Sequence, residues 1–215
     1  MRIIPNQEDC AAAAQIHHKF ATRPGAQHIA SEAALRYLAA LLRSRNITSV
    51  VEFGAGIGTI TYMLLSYPET NRRVVRTEDD AFCLDQLDIN IPDDLKQHLT
   101  VVSDGSQIQG EFDLAIVDGK LPLEGYSFLK PGVICVIEGG RASSHAAFKR
   151  ALRQKKLKCS FRYYAPRHLP SLKSERGRSG ATQFTLRLPP LRRLFRHQSG
   201  CAIGVVRHEY FRHSN

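Results

Sequence analysis

The sequence predicts an α/β fold in which a mostly parallel, doubly wound sheet is covered by helices on both faces. After Asn46, short runs of β-branched and apolar residues alternate with segments of helical length. Such alternation is typical of parallel strands that are joined by crossover helices. The runs are also apolar along most of their length, as expected for strands buried on both faces.

Two helices are predicted ahead of the first strand, over residues 8–20 and 27–45. Both segments are rich in alanine and leucine, and their apolar residues recur at a spacing close to one helical turn. The tetrapeptide Thr-Arg-Pro-Gly at 22–25 separates them, because proline and glycine interrupt helices. Residues 1–46 are therefore predicted to form an N-terminal helical part.

Residues 47–157 are predicted to form the core of the sheet. The predicted strands are 48–53, 73–77, 99–103, 112–117 and 133–138. The predicted helices are 57–66, 81–89, a short one at 123–129, and 143–155.

Residues 158–215 are predicted to form an elaborated basic edge of the same domain. A polar, basic stretch at 167–180 is typical of a long loop, and 189–196 is basic and amphipathic. No second hydrophobic core is evident, so residues 1–215 are predicted to be one domain. The predicted strands of this part are 159–164, 182–188 and 201–208.

Composition excludes several classes of protein. The 215 residues are 43% hydrophobic and 23% charged, which is ordinary for a globular protein and excludes wholesale disorder. No apolar run approaches the roughly 18–20 residues that span a bilayer. The first nine residues become acidic before any apolar stretch, unlike a secretory signal. We therefore expect a cytoplasmic protein without a transmembrane segment.

Charge is distributed unevenly along the chain. Residues 1–140 hold 12 basic and 18 acidic side chains, a net charge of −6, whereas residues 141–215 hold 18 basic and 2 acidic, a net charge of +16. This asymmetry predicts a polyanionic partner for the C-terminal part, or else a solvated basic face.

The strongest motif is the run from Val50 to Thr59, in which a strand ends, turns through three glycines and opens a helix. Glycine permits a positive φ and lets a ligand approach bare backbone. Dinucleotide sites use the spacing GxGxxG, but here the spacing is GxGxG, with Glu52 two residues before the first glycine. A carboxylate beside that turn is poorly placed for a pyrophosphate and suits a cationic cofactor.

In these residues the chain resembles the class I S-adenosylmethionine-dependent methyltransferases, whose first motif is an acidic residue, a hydrophobic residue and then GxGxG. The resemblance implies a Rossmann-like, seven-stranded sheet, with S-adenosyl-L-methionine as cofactor and residues 47–157 as the cofactor-binding core. It also implies that the cofactor contacts Glu52, Phe53, Gly54, Ala55, Gly56 and Gly58.

The resemblance continues in register over about residues 27–155. Glu78, with Asp79 and Asp80 as neighbouring alternatives, matches the acidic residue that holds the ribose hydroxyls. Ser103 and Asp104 match the polar end of the third strand, near the adenine. Asp118 matches the residue that faces the methyl group, and it is predicted both to contact the cofactor and to be catalytic. The Leu-Lys-Pro-Gly turn at 129–132 matches the approach to the fifth strand.

Within that family, the pattern is most similar to small-molecule O-methyltransferases of the catechol O-methyltransferase type. Those enzymes hold a divalent cation, and Asp118 matches its first ligand. The Asp-Asn pair that supplies the other ligands is replaced here by Glu138-Gly139, so no metal site is predicted. The catalytic base is then Asp118, Glu138, His145 or a residue of the C-terminal part.

The predicted function is methyl transfer to an oxygen or nitrogen of a small anionic acceptor, which the C-terminal arginines and tyrosines would hold. One alternative is an RNA methyltransferase that uses the same basic edge. Another is a cofactor-binding docking module without turnover. The sequence Val-Asp-Gly-Lys at 117–120 lacks the motif of enzymes that methylate exocyclic amines of bases. The N-terminal helices and an edge strand leave surface for a homodimer.

Overall fold

A computed structural model describes residues 2–68, 71–119, 121, 126–139, 142–164 and 201–208. Within these residues, seven strands form one sheet. They are β1 (Ser49–Phe53), β2 (Arg73–Thr77), β3 (Leu99–Val102), β4 (Leu114–Val117), β5 (Ile134–Glu138), β6 (Leu157–Tyr164) and β7 (Cys201–His208). The described helices are α1 (Gln7–Ala21), α2 (Glu32–Ser44), α3 (Thr59–Ser66), α4 (Ala81–Asn90), α5 (Asp93–Lys96) and α6 (Ala142–Gln154).

The strand order is β3-β2-β1-β4-β5-β7-β6. The first five of these positions pair in parallel, and β7 runs antiparallel to both β5 and β6. This arrangement confirms the predicted seven-stranded, mostly parallel fold. The chain builds outward from β1 to β3 and then returns to the other side of β1 as β4. A parallel sheet opens a crevice at the carboxyl ends of the two strands where such a reversal occurs.

Most of the predicted elements lie within a few residues of the observed ones. The helix predicted at 27–45 is instead a 3-10 turn over Ala26–His28 followed by α2, because Ser31 is extended and caps a new helix. The short helix predicted at 123–129 is a 3-10 turn over Tyr126–Phe128, and residues 122–125 lie outside the described residues. The additional turn α5 was not predicted. The predicted strand 182–188, like the loop at 167–180 and the amphipathic stretch 189–196, lies outside the described residues. That residues 1–215 are one domain stays a prediction.

Two apolar cores lie on opposite faces of the sheet, because each helix buries one side against it. The first contains the buried residues of α1, α2 and α3, and the second lies under α6. The strands between them are buried on both faces: all four residues of β4 are buried, whereas the two central residues of the edge strand β3 are exposed. None of the described helices has the length and apolar character needed to cross a bilayer.

The N-terminal helix is fixed to the rest of the fold by one buried carboxylate. Asp9 and Asn6 form a capping box at the start of α1. The same carboxylate, which is fully buried, pairs with Arg43 of α2 at 2.9 Å and accepts a hydrogen bond from the Tyr67 hydroxyl at 2.8 Å. These contacts join α1, α2 and the chain after α3, so the N-terminal part is an integral layer of the fold.

Candidate functional site

A cavity of about 500 Å³ opens at the carboxyl ends of the parallel strands, at the reversal between β1 and β4. Each of the five parallel strands contributes to its wall through its last residue or the residues that follow it. The described lining residues are Gln27, His28, Ile29, Gly54, Gly56, Thr77, Glu78, Asp79, Asp80, Cys83, Ser103, Asp104, Gly105, Asp118, Gly119, Leu121 and Glu138. The cavity therefore lies where an open α/β sheet binds its ligand.

The glycine-rich turn forms the floor of this cavity and requires glycine for two separate reasons. Gly54 has a φ of +76°, and a Cβ on it would lie 2.5 Å from the Gly119 Cα, which follows β4. Gly56 has a φ of +50°, and its Cβ would lie 2.4 Å from the His28 carbonyl oxygen. Glycine thus lets three stretches of backbone approach one another and leaves bare peptide groups facing the cavity.

Glu78 joins β2 to the glycine-rich turn. Its Oε2 accepts a hydrogen bond from the Gly56 N–H at 2.9 Å, and its Oε1 accepts from the N–H groups of Asp79 and Asp80 at 3.0 and 3.1 Å. The side chain is 9% exposed and lines the cavity. Because a carboxylate offers about four acceptor positions, it retains capacity for a ligand hydroxyl.

The two acidic residues after Glu78 both line the cavity but differ in their local roles. Asp80 caps α4, since its Oδ1 accepts a hydrogen bond from the Cys83 N–H at 2.9 Å. That hydrogen bond lowers the pKa of Asp80 below its ordinary value. Asp79 is exposed in the wall and is not the cap of α4.

The end of β3 supplies Ser103 and Asp104, which also line the cavity. Asp104 caps the 3-10 turn Gly105–Gln107 by accepting hydrogen bonds from the Ser106 N–H and hydroxyl at 3.1 and 2.8 Å. These bonds lower the pKa of Asp104. The carboxylate therefore carries a negative charge at this end of the cavity.

Asp118, directly after β4, and Glu138, the last residue of β5, line the opposite end. The N–H groups of Asp118 and Gly119 both donate to the Phe53 carbonyl oxygen, at 2.9 and 2.8 Å, which fixes the backbone beside the glycine-rich turn. Glu138 Oε1 accepts hydrogen bonds from the N–H and hydroxyl of Ser31, at 3.3 and 3.2 Å. Asp118 thus lies in the cavity wall, and its contact with a cofactor and its catalytic role stay predictions.

The segment between α1 and α2 covers part of the cavity, which the sequence analysis missed. Gln27, His28 and Ile29 line the cavity, and Ser31 caps α2 while it binds Glu138. These contacts join residues more than a hundred positions apart in sequence. No local motif signals such a contact, so only the folded structure reveals it.

Glu52 lies one layer beneath the cavity. Its side chain is fully buried, and its Oε2 accepts a hydrogen bond from the Thr61 hydroxyl at 2.6 Å. Phe53, the last residue of β1, and Ala55 and Gly58 of the turn are likewise not among the described lining residues. Burial raises the pKa of Glu52 from 4.5 to about 7, against the opposing effect of the Arg76 charge.

Because the pKa of Glu52 is raised, we expect the stability of the folded protein to depend on pH. We expect the substitution Glu52→Gln to remove this dependence. Between about pH 4.5 and 7 the folded protein binds a proton at Glu52 more readily than the unfolded chain does. The free energy of unfolding contributed by this group is therefore highest below pH 4.5 and falls as the pH rises through 7. Urea unfolding of both proteins from pH 4 to 8 should show the wild type losing stability relative to Glu52→Gln across that window. A constant difference would contradict the assignment.

His145 was a candidate base, but it is not among the described residues of the cavity wall. Its Nδ1 lies 3.3 Å from the Tyr163 hydroxyl, and its ring packs edge-on against Phe161. Burial lowers the pKa of His145, with a further lowering from Lys149. The His145 ring thus packs from α6 against β6.

In the described parts of the chain, His, Cys, Asp and Glu side chains form no group of three that could hold a metal ion. The absence of a metal from the reaction stays a prediction.

Known structures share this fold, although no sequence comparison finds a relative. No protein-family model matches the sequence, and no curated protein matches it significantly. The structure is similar to that of an O-methyltransferase from Bacillus cereus in complex with SAH, with a TM-score of 0.54 and 14% identity over 95% of this chain and 93% of that one. A proposed O-methyltransferase from Klebsiella pneumoniae matches with a TM-score of 0.52 and 14% identity, over 94% and 91%. These similarities establish the methyltransferase fold that the sequence predicted.

Proposed function

We propose that this protein is an S-adenosylmethionine-dependent methyltransferase that transfers a methyl group to an oxygen or nitrogen of a small acceptor. The observation that carries the proposal is the cavity at the β1–β4 reversal, whose floor is bare glycine backbone and whose wall holds Glu78 beside Gly56. A charged carboxylate next to unobstructed peptide groups suits a ribose that continues into an amino-acid chain.

Each part of the wall has a proposed role toward that cofactor. Glu78 and Asp79 hold the ribose hydroxyls, and Ser103 and Asp104 lie beside the adenine. Gly54 and Gly56 leave room for the methionine part. The other residues proposed for the cofactor site, which form the turn and its support, are Glu52, Phe53, Ala55 and Gly58.

Asp118 is the residue proposed to act in catalysis. When bound, the cofactor supplies an electrophilic methyl group. The enzyme must then hold the acceptor in line with it, which can account for a large part of the rate enhancement. An acceptor hydroxyl or ammonium must also lose a proton, and a carboxylate in the wall is suitably placed to accept it. We propose this role for Asp118, without a metal.

The acceptor is proposed to be anionic because of the basic C-terminal part of the chain. Six carboxylates are among the described lining residues: Glu78, Asp79, Asp80, Asp104, Asp118 and Glu138. An anion would be repelled by this wall unless cations from elsewhere compensate. We propose that the positive charge of residues 141–215, which is +16 in total, compensates for the negative charge of the cavity wall.

The cofactor assignment is tested by calorimetric titration with S-adenosylhomocysteine, using NADH as a control ligand. In the Glu78→Ala variant we expect binding weaker by about 1–3 kcal/mol, because a charged hydrogen-bond acceptor is lost. Asp94→Ala, an exposed carboxylate of α5 outside the described cavity wall, is the matched control and should bind as the wild type does. Absence of binding by a cooperatively melting wild type would reject the proposed cofactor.

Two further measurements separate this function from its alternatives. Binding to RNA should weaken steeply with salt, with a slope set by the number of phosphates contacted. Binding of a small acceptor should depend on salt far less. Asp118→Asn should lose turnover and keep cofactor binding if the protein is an enzyme. A docking module should retain its partner binding in the same variant.

A further inference from the structure

A fully buried arginine lies between the two acidic residues that flank the floor of the cavity. Arg76 stands beside Glu52 in the parallel register of β1 and β2, so both side chains project to the same face of the sheet. Arg76 is also two residues before Glu78. Its side chain is 0% exposed, and burial lowers its pKa. A buried guanidinium is costly unless the surrounding groups compensate for its charge.

The Arg76 guanidinium contacts both a buried hydroxyl and a carboxylate that lines the cavity. Its Nη2 lies 3.7 Å from Glu78 Oε2, and its Nη1 donates a hydrogen bond to the Thr61 hydroxyl at 3.3 Å. Thr61, in α3, in turn donates to Glu52. Among the described residues, Nε and Nη2 of Arg76 have no hydrogen-bond partner. The guanidinium therefore interacts with Glu78 mainly through charge, over a distance slightly longer than a hydrogen bond.

The carboxylate of Glu78 is thus held by two kinds of contact. The backbone N–H groups of Gly56, Asp79 and Asp80 donate hydrogen bonds to it, and the Arg76 guanidinium lies 3.7 Å from its Oε2. Its Oε2 is the oxygen nearest to both Gly56 and Arg76. An ion pair in a buried setting is screened little by water and fixes the orientation of the carboxylate.

We propose that Arg76 is a positioning residue, which orients the Glu78 carboxylate so that its remaining lone pairs face the hydroxyls of a nucleoside ligand. This inference rests on the proposed function, because it takes Glu78 as the residue that binds the ribose. Arg76 itself does not touch the ligand in this role. A substitution of Arg76 therefore changes the affinity for the ligand only by changing the orientation of Glu78.

The test is a double-mutant cycle on the affinity for S-adenosylhomocysteine, with Arg76→Met, Glu78→Gln and the double variant. We expect Arg76→Met to weaken binding about tenfold when Glu78 is present, and less than about twofold when Glu78 is already Gln. A residue that only stabilises the fold would weaken binding equally in both backgrounds. Equal losses, or wild-type affinity in Arg76→Met, would overturn the proposal.

Two further variants keep the outcome interpretable. Asp9→Asn removes a buried ion pair on α1, away from the described cavity wall, and should lower stability while leaving the affinity unchanged. Arg76→Lys retains a cation and is used in place of Arg76→Met if Arg76→Met does not fold. We expect Arg76→Lys to lose less affinity than Arg76→Met, and we expect this loss to vanish in the Glu78→Gln background. A wild type that does not bind S-adenosylhomocysteine would instead reject the proposed function.

Discussion

Replacing Arg72 with methionine is expected to destabilise the fold by about 3–5 kcal/mol, because three carbonyl groups lose a charged donor inside the protein. Arg72 is only 2% exposed. Its Nε donates to the Ile47 carbonyl oxygen at 3.0 Å, and its Nη1 donates to those of Leu64 and Tyr67 at 2.7 and 2.9 Å.

The size of the effect follows from where those carbonyls lie. The last carbonyl groups of a helix have no partner within the helix, and Arg72 binds two of them at the end of α3. The third precedes β1. Urea unfolding measures the loss, and Arg73→Met is the matched control, because Arg73 is the next residue, is exposed and begins β2. The account fails if the two variants are equally stable.

Replacing Gly54 with alanine is expected to have a comparable effect on stability and a larger one on binding. The new methyl group would lie 2.5 Å from the Gly119 Cα and 2.7 Å from its nitrogen, and the residue would keep a φ of +76°. Backbone atoms cannot move aside as a flexible side chain can. We expect a destabilisation of about 2–4 kcal/mol, from strain and crowding together.

The change would also push apart β1 and β4 at the floor of the cavity. Binding of S-adenosylhomocysteine should therefore weaken by at least about tenfold in the protein that remains folded. Gly132→Ala is the control, since Gly132 also has a positive φ, of +99°, but a methyl group there meets nothing within 4 Å. That variant should lose only about 1–2 kcal/mol, from backbone strain alone, and bind normally.

Local patterns were sufficient to predict the central strands, and the resemblance to the methyltransferases drew attention to the acidic residues that follow three of them. Glu78 and Asp118 directly follow β2 and β4, and Asp104 follows β3 after one residue; parallel strands bring such residues to one edge of the sheet. The same reasoning could not find Arg76, because a charged residue within a strand is ordinarily expected to be exposed. Its burial depends on the register of β1 with β2 and on the packing of α3.

Long-range contacts account for the other differences. The covering of the cavity by residues 27–29 depends on a contact between Ser31 and Glu138, which no local sequence window contains. The position of Glu52 beneath the floor follows from the pairing of β1 with β2 and β4, and its side chain contacts Thr61 of α3. Both positions follow from tertiary packing, which periodicity and spacing do not encode.

The hydrogen bonds between Ser31 and Glu138 also affect the order in which parts of the protein can fold during synthesis. The residues that cover the cavity leave the ribosome early, but their anchor on β5 is translated 107 residues later. Closing a loop of that length costs conformational entropy, which the contacts of the assembled sheet must offset. A nascent chain that ends before β5 therefore carries the covering segment without its anchor, and the cavity is completed only after most of the sheet has been translated.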